Sequence, residues 1–194
     1  MDAFGPKTFE PKEAILHRIR FYASRARPCM PNLETIQFLK ARMLPRHQLH
    51  YVTFQCTTGQ HWYFTYFLKQ ERDDSWHVRT SYGDYERREL VAILNYPWVD
   101  LQVGENSLHE FLTGGEVIDH GFDIVRVRLL SPNGRVLEDT VQDGLVLFWT
   151  DKEVFLPMQA DLYNRAGELV TSHSVLACPP APDTKFGGFF RPAS

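Results

Sequence analysis

Five of the six residues from Trp62 to Phe67 are aromatic: Trp62, Tyr63, Phe64, Tyr66 and Phe67. A strand sends successive side chains to opposite faces, so this run is apolar on both. No other stretch constrains the fold as much. Either both faces of this strand are buried, or one of them is a working surface.

The flanking residues supply its neighbours. Residues 49–56, 61–69 and 75–82 read as three strands joined by the hairpin loops "TTGQ" and "ERDD". With four-residue loops, Phe54 opposes Tyr63 and Val52 opposes Thr65. On the other side Tyr63 opposes Tyr82, Phe67 opposes Val78 and Lys69 opposes Trp76. One face then carries Val52, Phe54, Cys56, Tyr63, Phe67, Trp76, Val78 and Tyr82. The other carries a stripe of Trp62, Phe64, Tyr66 and Leu68, bordered by Tyr51, Thr53, Gln55, His77, Arg79 and Ser81. A one-residue slip would exchange the two faces. Burying a large ring contributes roughly 1.5–3 kcal/mol, so the face with apolar neighbours is assigned to the core.

Two helices are expected to cover that face. Pro11 suits the first turn of a helix over 12–27, with Ile15, Leu16, Ile19, Tyr22, Ala23 and Ala26 on one arc. Its arginines, Arg18, Arg20, Arg25 and Arg27, border that arc and read as snorkelling side chains. Asn32 would cap a second helix over 33–44, with Leu33, Ile36, Leu39, Met43 and Leu44 at helical spacing and Pro45 as its end. Asp84 would cap a third helix carrying Leu90, Val91, Ile93 and Leu94. "SLHE" at 107–110 has capping-box spacing for a short fourth.

From Phe122 the texture changes to a β-meander, with strands at 122–130, 135–142, 145–150, 154–163 and 168–176. "SPNG" and "NRAG" suit bulged hairpins that end on Gly134 and Gly167. Asp143-Gly144 suits a two-residue turn. The fold class read from these elements is α+β: two N-terminal helices on a curved antiparallel sheet, followed by a C-terminal antiparallel β-meander. The alternatives are a single cone-like sheet enclosing a pocket, or a C-terminal β-sandwich-like subdomain. Two helices before a curved antiparallel sheet resemble, in outline, the cone-shaped folds of the nuclear transport factor 2-like superfamily, which enclose a pocket between sheet and helices. The element order departs from that pattern, since three consecutive strands precede the third helix. The regions expected are 1–120, 121–176 and a tail, 177–194, in which Phe186, Phe189 and Phe190 are unusual for a Pro/Gly-rich segment.

Charge and composition exclude little. The net charge is -3, but residues 1–50 hold nine Lys/Arg against four Asp/Glu, which leaves twelve against twenty for the remainder. No apolar run approaches the ~20 residues of a membrane helix, and no secretory leader is expected at the N-terminus. Cys29, Cys56 and Cys178 form no C-x-x-C pair and read as free thiols of a reducing, cytoplasmic setting.

No phosphate loop, dinucleotide fingerprint, zinc-protease or nucleophile-elbow pattern is present, so no cofactor and no metal are expected. His47 and His50 make a weak metal pair. Glu138, Asp139 and Asp143 read as a solvated edge rather than a calcium loop. The function expected is a non-catalytic binding module for a small apolar or aromatic ligand, or for a protein partner. Its site would be the stripe of Trp62, Phe64 and Tyr66 with Tyr51, and His77 and Arg79 would serve an anionic or carbonyl-bearing group. The rivals are a small enzyme using His77 or His61 as acid and base, and a single-stranded nucleic-acid binder stacking bases on these rings.

Overall fold

The computed structural model describes residues 8–23, 30–85, 96–107 and 110–176. Among them is one α-helix, α1 (Pro11–Ala23), and a 3-10 turn at Leu33–Thr35. Eleven strands follow: β1 (Gln37–Leu44), β2 (His47–Gln55), β3 (His61–Gln70), β4 (Trp76–Tyr85), β5 (Trp98–Ser107), β6 (Glu110–Ile118), β7 (Ile124–Leu130), β8 (Val136–Thr140), β9 (Leu145–Thr150), β10 (Met158–Asn164) and β11 (Leu169–Val175). They build three antiparallel sheets, ordered β1-β2-β3-β4, β5-β6-β9 and β11-β10-β7-β8.

The described chain is therefore mostly β, and the α+β reading with two N-terminal helices is corrected. The segment 33–44 is a turn followed by a strand. Its apolar residues divide between two faces: Ile36 and Phe38 pack towards α1, Leu39 and Leu44 away from it. Pro45-Arg46, with Arg46 at φ 59, closes a tight hairpin in which Leu44 pairs with His47. A β-rich partner strand and an available hairpin turn outweigh the weak helical spacing of this segment. With the second helix gone, the cone-shaped resemblance goes too. Asp84 lies within β4 instead of capping a helix, while Leu90, Val91, Ile93 and Leu94 fall outside the described residues. Ser107 and Glu110 pair across a hairpin instead of opening a helix.

The expected C-terminal strands exist, and Gly134, Gly167, Asp143 and Gly144 all take positive φ in their turns. They do not form a meander. β9 leaves for the middle sheet, and β10 returns to pair with β7. The middle sheet thus draws β5 and β6 from one side of residue 120 and β9 from the other.

Three apolar clusters show how the layers stack. Ala14, Ile15 and Ile19 of α1 pack with Val52, Phe54, Tyr66, Leu68, Trp76 and Val78 on one face of the first sheet. Leu49, Tyr51 and Phe67 on its other face meet Leu112, Leu145 and Leu147 of the middle sheet. Phe111, Val117, Val146 and Phe148 on the far face of that sheet meet Val127, Leu129, Ala160 and Leu162 of the third. The order is helix, sheet, sheet, sheet. The first and middle sheets are covered on both faces, which is why β2, β3 and β9 carry apolar residues at successive positions. Their approach is close: a Cβ on Gly114 would lie 2.6 Å from Leu147 Cδ2 and 2.8 Å from Thr65 Oγ1.

A buried ion pair joins the layers at one edge. Lys40 Nζ on β1 donates to Asp139 Oδ2 at 2.7 Å, to the Thr140 carbonyl at 2.7 Å and to the Leu145 carbonyl at 2.9 Å. Asp139 also accepts the Leu147 N–H at 2.8 Å. The carboxylate read as part of a solvated edge is thus the counterion of a lysine 99 positions away.

His50 is buried beneath α1 on β2. Its Nε2–H donates to Gln48 Oε1 at 2.8 Å, and its Nδ1 has no hydrogen-bond partner among the described residues. Burial, with a smaller contribution from Lys12, lowers its pKa to about 4. The unfolded chain, with an ordinary imidazole near 6.5, then binds the proton more readily between these values. Stability should be fully present above pH 6.5 and fall as pH drops towards 4, by on the order of 3 kcal/mol. Urea midpoints across that range should show the loss in the wild type and a flatter profile in His50→Gln. Parallel profiles would show that another group titrates.

Candidate functional site

The register of the first sheet decides which rings share a face. Gln55 opposes His61, Phe54 opposes Trp62, Val52 opposes Phe64 and Tyr51 opposes Thr65. This is one residue away from the expected pairing, because Cys56 joins the loop. On the other side Phe67 opposes Thr80, and a bulge then brings Leu68 opposite Val78 and Lys69 opposite His77. The slip exchanges the neighbours of the two faces.

The stripe of Trp62, Phe64 and Tyr66 accordingly lies on the α1 side. Tyr66 is buried there, and Trp62 and Phe64 are half-buried at the edge of the same cluster. The rings form a ladder: Phe54 stacks on Phe64 at 5.4 Å, Trp62 on Phe64 at 6.0 Å, and Phe64 meets Tyr66 at 5.8 Å. Tyr51 is not with them. It is buried between the first and middle sheets, where burial and the Glu116 carboxylate push its phenol pKa up.

His77 and Arg79 also sit elsewhere, and they reveal a second constellation. Arg79 Nη1 lies 2.6 Å from Glu110 Oε2, and its guanidinium lies 6.0 Å from the centre of the Phe67 ring. The buried Glu110 also accepts the Trp149 indole N–H at 3.2 Å. His47 stacks on Phe67 at 5.2 Å with only 9° between the planes, and on Trp149 at 5.6 Å. The Pro45 carbonyl, 3.1 Å from His47 Nδ1, can only accept, so Nδ1 is the donor in this contact. His77 pairs with Glu71 at 3.2 Å one strand over.

Phe67 is the buried floor of this group, His47 and Trp149 are half-buried, and Arg79 is exposed. The group stands at a partly exposed rim where the first and middle sheets meet. The sequence reading took His47 only as half of a weak metal pair and Phe67 as core, and did not join them to Trp149 and Glu110, since Trp149 lies 82 positions from Phe67 and comes from a different sheet. The odd-numbered face of β3 offered the only local signal.

A groove of about 510 Å³ marks the third sheet, lined by Leu130, Pro132, Pro157, Gln159, Ser172 and Ser174 among others. Two of its polar side chains are held by the buried Asp161. Ser172 Oγ donates to the buried Asp161 Oδ1 at 2.6 Å, and Gln159 Nε2 donates to the same oxygen at 2.8 Å. His173 does not join Ser172 and Asp161 as a catalytic chain. It accepts the Val99 N–H at 3.4 Å and stacks on Trp98 at 3.8 Å, and burial lowers its pKa. His61 meets Gln55 at 2.7 Å. Among the described residues no cluster of His, Cys, Asp or Glu could hold a metal ion, and no helix is long and apolar enough to cross a membrane.

Compared with protein-family models, with curated proteins and with solved structures, the chain matches none.

Proposed function

We propose that the chain is a non-catalytic binding module and that the rim formed by His47, Phe67 and Trp149, with Arg79 at its border, is its contact surface. The observation that carries this reading is the stack itself. Three near-parallel rings from two sheets converge, and Arg79 is held against them by a buried carboxylate. Ring faces beside a fixed guanidinium favour a flat, apolar or aromatic group, from a small ligand or from the side chains of a protein partner. The guanidinium at the rim is already paired with the buried Glu110 carboxylate, which disfavours a polyanion such as a nucleic acid.

The probe is 8-anilinonaphthalene-1-sulfonate, a flat aromatic dye. It should bind the native protein and brighten, and Trp149→Ser or His47→Ala should weaken binding about tenfold or more while near-ultraviolet circular dichroism stays native. Dye binding unchanged in both variants would remove the rim from consideration. A second reading keeps the ladder, because Trp62 and Phe64 remain half-buried beyond the part that α1 covers. Trp62→Ala then has the larger effect on dye binding. The cytoplasmic location expected from free thiols loses that support at Cys56, which is disulfide-bonded.

A further inference from the structure

Asp161 on β10 is only 6% exposed, yet it forms no ion pair among the described residues. Arg128 is its register partner on β7, but that guanidinium is engaged by Glu138 at 3.4 Å and by the Tyr163 hydroxyl at 3.3 Å. His173 supplies no cation either, because burial lowers its pKa and leaves it neutral at pH 7. A buried carboxylate without a counterion relies on hydrogen bonds. Two side chains that line the groove on the third sheet provide them: Ser172 Oγ donates at 2.6 Å and Gln159 Nε2 at 2.8 Å, both to Oδ1. Neither contact uses Oδ2.

These bonds fix the polarity of the groove. An ionised carboxylate can only accept, so each of its two neighbours commits a donor to it. Ser172 is left with its hydroxyl lone pairs, and Gln159 with its Oε1 acceptor and one N–H. Pro132 and Pro157, also in the lining, carry no backbone N–H. The register puts these groups together. Gln159 pairs with Leu130 on one side and Ser174 on the other, and Asp161 pairs with Ser172. Paired and alternate residues share a face, and this one is opposite to the face on which Ala160 and Leu162 enter the core. The groove is therefore rich in acceptors, poor in donors and set over a negative charge, with Leu130 and the proline rings as its apolar part. Its volume of about 510 Å³ suits a small molecule.

We propose that this groove is a binding site for a primary ammonium carried on a short aliphatic chain. The ammonium has three donors and no acceptor. It donates to Gln159 Oε1 and Ser172 Oγ, its charge answers that of Asp161, and its chain lies along Leu130, Pro132 and Pro157. An anion would meet charge of its own sign. The site is on the third sheet and does not depend on ligand binding at the rim.

The test is a titration of the full chain, labelled with nitrogen-15, with n-butylammonium chloride at constant ionic strength, read from backbone amide signals. Saturable shifts at Gln159, Ser172 and Ser174 are expected, and sodium butyrate and n-butanol should leave those signals in place. Asp161→Asn should weaken binding about tenfold or more, since it removes the charge that the ammonium faces. The exposed Gln159→Ala, which carries less risk to the fold, should weaken it about threefold. Nα-acetyl-lysine methylamide separates two sources of the group. Tighter binding than butylammonium supports the site as one for a lysine side chain, and weaker binding supports it as one for a free amine. No saturable shift, equal binding of butanol or butyrate, or undiminished binding in a folded Asp161→Asn would overturn the proposal.

Discussion

Asp139→Asn is expected to lower stability by about 3 kcal/mol, because it leaves the buried Lys40 ammonium without its counterion. The substitution keeps an oxygen for the Leu147 N–H, so the loss reports on charge and not on the backbone hydrogen bond. Lys40 would still reach the carbonyls of Thr140 and Leu145, but two neutral acceptors do not balance a desolvated cation. Combining Asp139→Asn with Lys40→Met removes the stranded charge. The double variant should therefore be more stable than Asp139→Asn alone, a non-additivity that urea unfolding can read. Additive losses would mean that the pair is solvated and that β1 is not clamped to β8 and the start of β9 through it.

Phe67→Ala should cost about 3–5 kcal/mol, the usual loss for emptying a fully buried aromatic site. Phe67 has no exposed surface and lies between the first and middle sheets. Phe64→Ala, three residues away on the other face, should cost roughly 1–2 kcal/mol, because its ring is only half-buried at the cluster edge. The ratio of the two losses tests the layer order directly. Comparable losses would place both faces of β3 under equally tight cover. Phe67→Ala should also abolish dye binding at the rim, since His47 and Trp149 stack against the ring it deletes.

Much of the local structure is legible in the residues. α1 starts at Pro11 and buries Ala14, Ile15 and Ile19, as a 3.6-residue repeat requires. Turns at Gly134, Asp143-Gly144 and Gly167 stand where their chemistry puts them, because positive φ is local and few residues tolerate it. The stretch 33–44 shows where such reading stops. Its apolar spacing suits a helix, yet Lys40 and Arg42 reach acceptors on β8 and β9 that only a strand can present to them. Those acceptors lie about a hundred residues on, outside any local window.

The candidate site follows the same rule. Its six expected residues are dispersed: Trp62, Phe64 and Tyr66 lie under or beside α1, Tyr51 between the sheets, Arg79 at the rim and His77 against Glu71. The division follows from one residue of loop length at Cys56 and one bulge beside Phe67, and a period of two converts each into a change of face.

The residues alone determined that β3 is apolar on both faces, and left open whether both are covered or one is a working surface. Only the tertiary structure decided what covers them: a helix on one side, and on the other a sheet whose strands come from both halves of the chain. The physical reason is that alternation is written into a strand by its own backbone. The choice between partners is made by packing and by buried charge, and both depend on residues far apart in the chain.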